Sequence, residues 1–363
     1  MSLGLGIIGM PNVGKSTLLN ALAHAHAEAS NYPFCTIEKN VGVVAVEDPN
    51  LQALAGALEP KEVTPATIEF VDIAGLVKGA SQGEGLGNKF LGHIRDVDAL
   101  IHVIRCFHDE NVAHVSGRVD PVGDLEVVEA ELLLADLESL ERIAERVKRE
   151  GKANPKEAQT DLDRVAALMG SVKRGIPLRR LTDLDEAQKA WAREFRLLTM
   201  KPVVIVANVD ESEAAGGACL ESLRAAAGPE AVVLATPIKI EEELSTLSPE
   251  ERQAFIHDLG LEGAGIERIV EAGRKLLKLI TFYTIAHEKL RAWLIPAGTH
   301  APQAAGRIHT DMERGFIRME VMSVRDVLAH RTRAALHKLG LIRTEGRDYI
   351  VQDGDVCQIL FSA

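Results

Sequence analysis

Short apolar runs alternate with longer stretches of mixed polarity, four of them in the first third of the chain and a further pair beyond residue 200. The runs are rich in Val, Ile and Leu, are four to six residues long, and lie at 3–8, 41–46, 67–71, 99–104, 203–207 and 232–235. Near-continuous apolar runs of this length are typical of strands buried on both faces of a parallel sheet, and amphipathic segments between them are typical of covering helices. The pattern therefore predicts a doubly wound α/β domain with a mostly parallel sheet.

Between the fourth and fifth of these runs the hydrophobic period changes. Apolar positions in residues 124–149 recur every three or four places, with acidic and basic residues between them, which predicts a long amphipathic helix. Residues 161–169 and 186–198 continue the helical pattern, and residues 150–155 predict a turn. Because this excursion is too long for a loop, we predict a coiled-coil-like helical arm, which serves either as a spacer or as a partner-binding element.

The composition changes again near residue 280. Residues 280–363 contain 11 Lys and Arg against 9 Asp and Glu, a net charge of +2, although the whole chain carries −12. Strand-like runs at 290–295, 315–321, 349–351 and 356–361 predict a small α+β domain. We therefore divide the chain into an α/β domain at 1–123 and 200–279, the arm at 124–199, and a C-terminal domain at 280–363.

Charge and composition limit the class of protein. An overall charge of −12, from 41 basic and 53 acidic residues, excludes a protein that coats nucleic acid but permits a local contact. The chain has neither an apolar run of membrane-spanning length nor a signal-peptide pattern at its start. Its four cysteines, which are widely spaced, match no metal or redox motif, so we expect reduced thiols in a cytoplasmic, monomeric protein without membrane contact.

The strongest motif is G-x-x-x-x-G-K-S at residues 9–16, directly after the first predicted strand and before a helix-compatible segment. Its glycines let backbone N–H groups surround phosphate oxygens, and the start of the helix favours an anion. Lys15 adds positive charge at the β- and γ-phosphates, and the hydroxyl of Ser16 is a ligand for Mg²⁺. The sequence thus predicts a nucleotide-binding phosphate loop that includes Asn12, Val13, Gly14, Lys15, Ser16 and Thr17.

A second acidic site follows the third predicted strand, where Asp72 begins a D-x-x-G sequence that ends at Gly75. Asp72 is expected to hold Mg²⁺ through water, and the N–H of Gly75 to approach the γ-phosphate. Thr36 is the candidate for a third Mg²⁺ contact. Leu76 occupies the place where many nucleotide switches have a glutamine that orients the attacking water. Slow hydrolysis, or a catalytic group delivered from elsewhere, is therefore expected.

The nucleotide base is predicted to lie beside Asn208, Val209 and Glu211. A guanine-specific site would read N-K-x-D after the fifth strand, whereas this chain reads Asn-Val-Asp-Glu at 208–211. Val209 replaces the lysine, and the final carboxylate is one methylene longer. A site that depends on specific hydrogen bonds loses selectivity when they are misplaced, so we expect a weakened preference for guanine and binding of adenine.

Together these motifs resemble the YchF subfamily of Obg-like nucleotidases. The resemblance extends over essentially the whole chain and is carried by residues 9–17, 31–40, 72–87, 208–211, 291–296, 301–306 and 309–311. It implies a P-loop NTPase domain of α/β class, an inserted helical arm and a C-terminal α+β β-grasp TGS domain. It further implies an ATPase that forms ADP and phosphate, tolerates GTP and GDP, uses Mg²⁺, and associates with ribosomes or RNA through its TGS domain and arm.

The resemblance also implies that a histidine in a mobile loop compensates for Leu76. Residues 114–119 match the corresponding family segment, so this catalytic role, beside that of Lys15, falls to His114. The residues alone leave His93, His102 and His108 as equal candidates.

Three alternatives stay open at this stage. One is a nucleotide-stabilised scaffold that binds RNA or the ribosome with little catalysis, and another is a GTP-specific GTPase. A small-molecule kinase is disfavoured because no segment typical of an acceptor-binding lid follows the predicted sheet. Asn12 is in addition a candidate ligand for K⁺ beside the phosphates, although a loop asparagine often satisfies only local backbone groups.

Overall fold

The computed structural model describes residues 3–25, 40–73, 86–115, 117–151, 154–214, 216–258 and 265–362. The strands in these ranges are β1 (Gly4–Ile8), β2 (Val41–Ala45), β3 (Glu62–Thr64), β4 (Thr67–Asp72), β5 (Ala99–Arg105), β6 (Val203–Asn208), β7 (Val232–Thr236), β8 (Leu279–Ala286), β9 (Lys289–Pro296), β10 (Phe316–Ser323), β11 (Arg343–Glu345) and β12 (Asp355–Phe361). The helices are α1 (Lys15–Ala25), α2 (Pro49–Leu58), α3 (Leu86–Asp96), α4 (Pro121–Glu150), α5 (Pro155–Lys173), α6 (Glu186–Glu194), α7 (Ala218–Ala227), α8 (Ile238–Leu244), α9 (Pro249–Asp258), α10 (Gly265–Leu276), α11 (Ala301–Ile308), α12 (Thr310–Arg314), α13 (Val324–His330) and α14 (Arg333–Lys338).

The first sheet has the strand order β2-β4-β1-β5-β6-β7 and is parallel except for the antiparallel edge strand β2. Every residue of β5 is buried, as expected for a central strand covered on both faces. All six strands predicted from the apolar runs are confirmed, with ends within one residue of the predicted ones. The carboxyl ends of β1, β4, β5 and β6 meet at one edge of this sheet, where α/β folds bind ligands.

Helices α4, α5 and α6 form the helical arm between β5 and β6. Helix α4 starts with Pro121 after Asp120, whose carboxylate accepts a hydrogen bond from the Gly123 N–H at 3.0 Å. Buried aliphatic side chains of α4 and α5 pack on each other, as the spacing of apolar residues along these two segments predicted. The predicted helix at 186–198 is too long, because α6 ends at Glu194 and Arg196 has a φ of +50°. The domain boundaries themselves stay predictions.

Asp136 fastens α4 to the last residues of the arm, which lead directly into β6. Its fully buried carboxylate accepts hydrogen bonds from the N–H groups of Leu198 and Thr199 at 2.7 and 2.8 Å, and from the Thr199 hydroxyl at 2.6 Å. Burial raises the pKa of this carboxyl, and the three hydrogen bonds oppose that rise.

We expect Asp136→Ala to lower the free energy of unfolding by about 3 kcal/mol, because three buried donors lose their acceptor. Urea unfolding followed by circular dichroism measures this change. Glu138→Ala is the control on the same helix, since Glu138 is exposed and forms an ion pair with Arg142 alone among the described residues; its loss should change stability by less than about 0.5 kcal/mol. Equal changes in the two variants would contradict the anchoring role of Asp136.

The second sheet has the strand order β11-β10-β12-β8-β9-β3. The strands predicted at 290–295, 315–321 and 356–361 are present as β9, β10 and β12. The strand predicted at 349–351 is wrong: only an isolated bridge between His300 and Ile350 forms there, because a turn from 346 to 349 separates this segment from β11. The mixed α+β character of the C-terminal domain is confirmed.

The two domains share a sheet and a hydrophobic core. Strand β3, which precedes β4 in the α/β domain, pairs in parallel with β9, with Val63 opposite Leu290. The hydroxyl of Tyr283 donates to Asp48 at 2.7 Å, and the same aspartate caps α2. One cluster of buried apolar side chains runs from Leu5 in β1 through to β12. The C-terminal domain is therefore built onto the α/β domain along a continuous interface.

The expectation of four reduced cysteines is wrong for one pair. Cys106, just after β5, and Cys219 in α7 form a disulfide with a Cα–Cα distance of 6.1 Å across a sequence separation of 113. Cys357 is free and buried, and burial raises the pKa of its thiol. Cys35 lies outside the described residues. Among the helices that the structure describes, none is long and apolar enough to cross a membrane.

Candidate functional site

The phosphate loop connects β1 to α1 and depends on glycine at two positions. Gly9 has a φ of +148°, and a Cβ there would lie 2.3 Å from the Val103 carbonyl oxygen. Gly14 has a φ of +102°, and a Cβ there would lie 2.6 Å from the Asn208 amide nitrogen. Only glycine tolerates both the conformation and the close approach. The loop is thus held tightly against β5 and β6.

Lys15 is the first residue of α1, and its side chain extends back over the phosphate loop. It is 8% exposed, and its ammonium donates to the Met10 carbonyl at 2.8 Å. Burial lowers the pKa of Lys15, while the negative charge of Asp72 opposes that shift. The side chain is therefore a positioned cation at the start of a helix, which suits a bound anion.

Ser16 and Asp72 meet although 56 residues separate them in sequence. The β1–β4 register pairs Ile7 with Asp72, and the Ser16 hydroxyl donates to Asp72 Oδ2 at 2.7 Å. The other carboxylate oxygen, Oδ1, is buried and has no hydrogen-bond partner in the described ranges. Hydroxyl and carboxylate oxygens are the ligands that Mg²⁺ prefers, with waters and phosphates completing its shell.

This pair therefore fits Mg²⁺. Within the part of the chain described, no cluster of three His, Cys, Asp or Glu could hold a metal by itself. Thr36, Gly75 and Leu76 lie outside the described residues.

Asn208 joins the phosphate loop to the opposite side of the site. Its amide nitrogen donates to the Val13 carbonyl at 2.9 Å, and its oxygen accepts from the Ile238 N–H at 3.2 Å. Val209 is 5% exposed and packs in an apolar cluster, whereas Glu211 is exposed in a short 3-10 turn. Contacts of these three residues with a base stay predictions.

The segment after β5 is ordered by a residue that sequence reasoning missed. Arg105 is buried and donates to the carbonyls of Phe107, Asp109 and Val112 at 3.3, 3.0 and 2.8 Å. The signal in the sequence is a charged residue at the end of an otherwise apolar strand. The amide of Asn12, whose φ is +60°, donates to the Ala113 carbonyl at 3.2 Å, which attaches this segment to the phosphate loop.

His114 follows that contact directly. Its Nε2 lies 3.0 Å from Asp124 Oδ2 in the first turn of α4, and the two side chains are 4% and 5% exposed. His102 is fixed inside β5, and burial, followed by the charges of Arg179 and Lys15, lowers its pKa to about 3. His93 lies in the last turn of α3, and His108 is exposed. His114 directly follows Ala113, which accepts the hydrogen bond from Asn12 of the phosphate loop, whereas His102 is held inside the sheet.

Proteins of known family share this architecture. The family model MMR_HSR1, described as a 50S ribosome-binding GTPase, matches residues 4–128. The model YchF-GTPase_C, described as a protein of unknown function (DUF933), matches residues 279–362.

Two curated relatives match along the full chain. The ribosome-binding ATPase YchF of Escherichia coli O157:H7 is 47% identical over 363 residues, and that of Bacillus subtilis strain 168 is 46% identical over 366 residues, with both chains fully covered in each case. The solved structure of the Schizosaccharomyces pombe YchF GTPase has a TM-score of 0.87 and 33% identity, and covers 99% of this chain and 98% of that one. Because the likeness spans both sheets and the arm, the chain belongs to the YchF family of P-loop nucleotidases.

Proposed function

We propose that this protein is a ribosome-associated, Mg²⁺-dependent nucleoside triphosphatase that hydrolyses ATP to ADP and phosphate and also accepts GTP. The observation that carries the proposal is the juxtaposition of Ser16 and Asp72 beside Lys15 at the end of β1. Association with ribosomes is inferred from relatives whose names describe them as ribosome-binding ATPases. We propose further that the protein acts as a cytoplasmic monomer.

The proposed mechanism assigns a task to each part of the site. Backbone N–H groups at residues 12–17 and the Lys15 ammonium bind the β- and γ-phosphates. Ser16, with Thr36 and Asp72, would hold Mg²⁺, and the bound ion would neutralise charge on the phosphates. His114 orients the attacking water in place of the glutamine that Leu76 replaces. Loss of the γ-phosphate removes the contacts of Thr36 and Gly75, and this converts hydrolysis into a conformational signal.

The choice of base follows from the residues around Asn208. Both ends of its amide group already have partners in the protein, and the side chain at position 209 is a buried valine. Asp210 accepts a hydrogen bond from the His108 N–H at 3.2 Å. Asp210 thus stands one residue too early for a guanine-specific motif, and Glu211, at the final position of that motif, has a side chain one methylene too long. These two departures favour ATP as the substrate.

We expect ADP to bind at least as tightly as GDP, and chelation of Mg²⁺ to weaken binding of a non-hydrolysable ATP analogue by about tenfold or more. Calorimetric titration of the nucleotides in one buffer, with and without EDTA, measures both effects. Asp72→Asn should reproduce the loss seen with EDTA, while Glu47→Gln, also an acidic position but outside the site, should not. Tighter binding of GDP by a factor of ten would contradict the base assignment, and absence of nucleotide binding would contradict the whole proposal.

Phosphate release under saturating ATP separates a hydrolase from a scaffold that only binds nucleotide. A role for K⁺ beside Asn12 stays a prediction. The amide nitrogen of Asn12 donates to the Ala113 carbonyl, so the amide oxygen is the atom that would bind K⁺. Equal rates of hydrolysis in K⁺ and Na⁺ would remove it.

A further inference from the structure

A cavity of about 320 Å³ lies where the α/β domain meets the C-terminal domain. Leu58, Glu59 and Pro60 line it from the α/β domain, and residues in and next to β8, β9, β10, β12, α13 and α14 line it from the C-terminal domain. Protein interiors leave few voids larger than a water molecule, whereas sites for small molecules begin at about 300 Å³. The cavity is therefore too large for an ordinary packing defect and large enough for a small ligand.

The inner wall of this cavity is apolar. Five of its side chains belong to the main hydrophobic core and are at most 8% exposed, namely Leu290, Met322, Val327, Leu336 and Val356. Burial of an aliphatic or aromatic group against such a wall is favourable because apolar surface leaves water. The lining thus selects a ligand with an apolar body.

The mouth of the cavity is charged. Its four charged lining residues, Glu59, Glu288, Arg331 and Arg333, are all exposed. Glu288 and Arg333 each form an ion pair with a residue outside the lining. Glu59 and Arg331 form no ion pair with any residue in the described part of the chain. One negative and one positive group at the mouth are therefore available to a ligand.

Three of the four mouth residues have a strained backbone. The φ angle is +46° at Glu59, +60° at Glu288 and +57° at Arg331, and glycine would adopt each of these conformations without strain. Three of the eight non-glycine residues with positive φ in the described ranges thus line one cavity, and residues of this kind cluster at functional sites. Since all three side chains are exposed, core packing does not explain why charged residues stand where glycine would be more stable.

We propose that this cavity binds a free α-amino acid with an apolar side chain. The guanidinium of Arg331 pairs with the carboxylate of the amino acid, Glu59 pairs with its ammonium group, and its side chain lies against the apolar wall. Both protein groups reach one ligand because Glu59 ends α2, Arg331 ends α13, and these two helices pack on each other. An apolar anion would leave Glu59 unpaired beside a like charge, and a neutral apolar molecule would leave both charges unpaired.

The proposed site is distinct from the nucleotide site, since no residue of the phosphate loop lines the cavity. A bound amino acid contacts both domains, so it stabilises their junction and should raise the unfolding midpoint of the full chain.

Calorimetric titration of the full-length protein, with the nucleotide site saturated by ADP, tests the class of ligand. The probes are L-leucine, isocaproate, which lacks the ammonium group of leucine, and isoamylamine, which lacks its carboxylate. We expect L-leucine to bind about tenfold or more tightly than either analogue, because each analogue loses one charge-assisted contact. Binding of isocaproate or isoamylamine as tight as that of L-leucine would overturn the amino-acid class, and absence of L-leucine binding would overturn the site.

Glycine variants test the location of the site without strain on the fold. Glu59→Gly and Arg331→Gly each remove one charge at a position whose φ glycine accepts, so both variants are expected to fold, and the unfolding midpoint checks this. Lys278→Gly is the matched control, because Lys278 is exposed, has a φ of +51° and lies outside the cavity lining.

We expect Glu59→Gly and Arg331→Gly each to weaken L-leucine binding by about tenfold or more, and Lys278→Gly to leave it unchanged. Unaltered affinity in the two mouth variants would overturn the assignment to this cavity, and so would an equal loss in the control.

Discussion

Replacement of Lys15 by alanine is expected to reduce the rate of ATP hydrolysis by at least about a hundredfold and to weaken nucleotide binding. The substitution removes a buried, positioned cation from the place where phosphate charge develops, and a single preorganised group of this kind typically contributes about 10²–10³ to the rate. The Lys15 ammonium is already oriented by the Met10 carbonyl at 2.8 Å. Steady-state phosphate release and calorimetric binding of ADP measure the two effects.

The matched control for this prediction is Lys239→Ala. Lys239 is an exposed lysine on α8, the helix that packs on α1, so its loss removes the same charge from the same neighbourhood. We expect the control to retain the full rate. Circular dichroism and the unfolding midpoint establish that both variants fold. A Lys15→Ala protein that hydrolyses ATP at the unaltered rate would remove Lys15 from the catalytic assignment.

The second large effect is expected at His114. His114→Ala should lower kcat by about a hundredfold, because loss of a group that positions or accepts a proton from water commonly costs 10²–10⁴ in rate. The dissociation constant for ADP should change by less than about twofold, since the proposed contact is with the attacking water and not with the bound diphosphate. Single-turnover hydrolysis and ADP titration separate the two quantities.

Two further variants protect this test against a structural artefact. His114→Ala leaves the buried Asp124 carboxylate without the histidine that lies 3.0 Å from it, whereas His114→Asn supplies a donor and should restore stability but not turnover. His108→Ala changes an exposed histidine of the same segment and should have no effect on either rate or stability. Unaltered turnover in both His114 variants would show that this histidine has no catalytic part.

The local sequence is sufficient to predict those parts of the structure that depend on burial of apolar residues or on the special backbone of glycine. The six strands of the first sheet were predictable because each is an apolar run with a single plausible conformation, and the phosphate loop was predictable because its glycines meet steric limits that no other residue satisfies. The end of α6 was not predictable. The helical pattern continues past Glu194, and the chain leaves the helix only because Arg196 takes a positive φ, after which Leu198 and Thr199 bind Asp136.

Contacts between segments that are distant in sequence could not be predicted from the pattern of hydrophobic and polar residues. Strand β3 is three residues long and is defined by its pairing with β9, more than 200 residues later, so its own sequence carries no strand signal. The bond between Cys106 and Cys219 likewise depends on the proximity of β5 and α7. Arg105 was overlooked because its partners are backbone carbonyls, which every sequence possesses. The contact between Ser16 and Asp72 is predictable only because the phosphate-loop motif and the D-x-x-G motif occur together in nucleotide-binding proteins.

The pairing of β3 with β9 has a consequence for the exchange of domains between homologous proteins. Val63 and Leu290 face each other in one sheet, and Lys289 forms an ion pair with Glu62 at 2.6 Å. A chimaera that takes residues 279–362 from another family member would place a foreign β9 against a resident β3. Such hybrids should therefore transfer Glu62–Thr64 together with the C-terminal segment, because the unit that can be recombined is discontinuous in sequence and continuous only in the sheet.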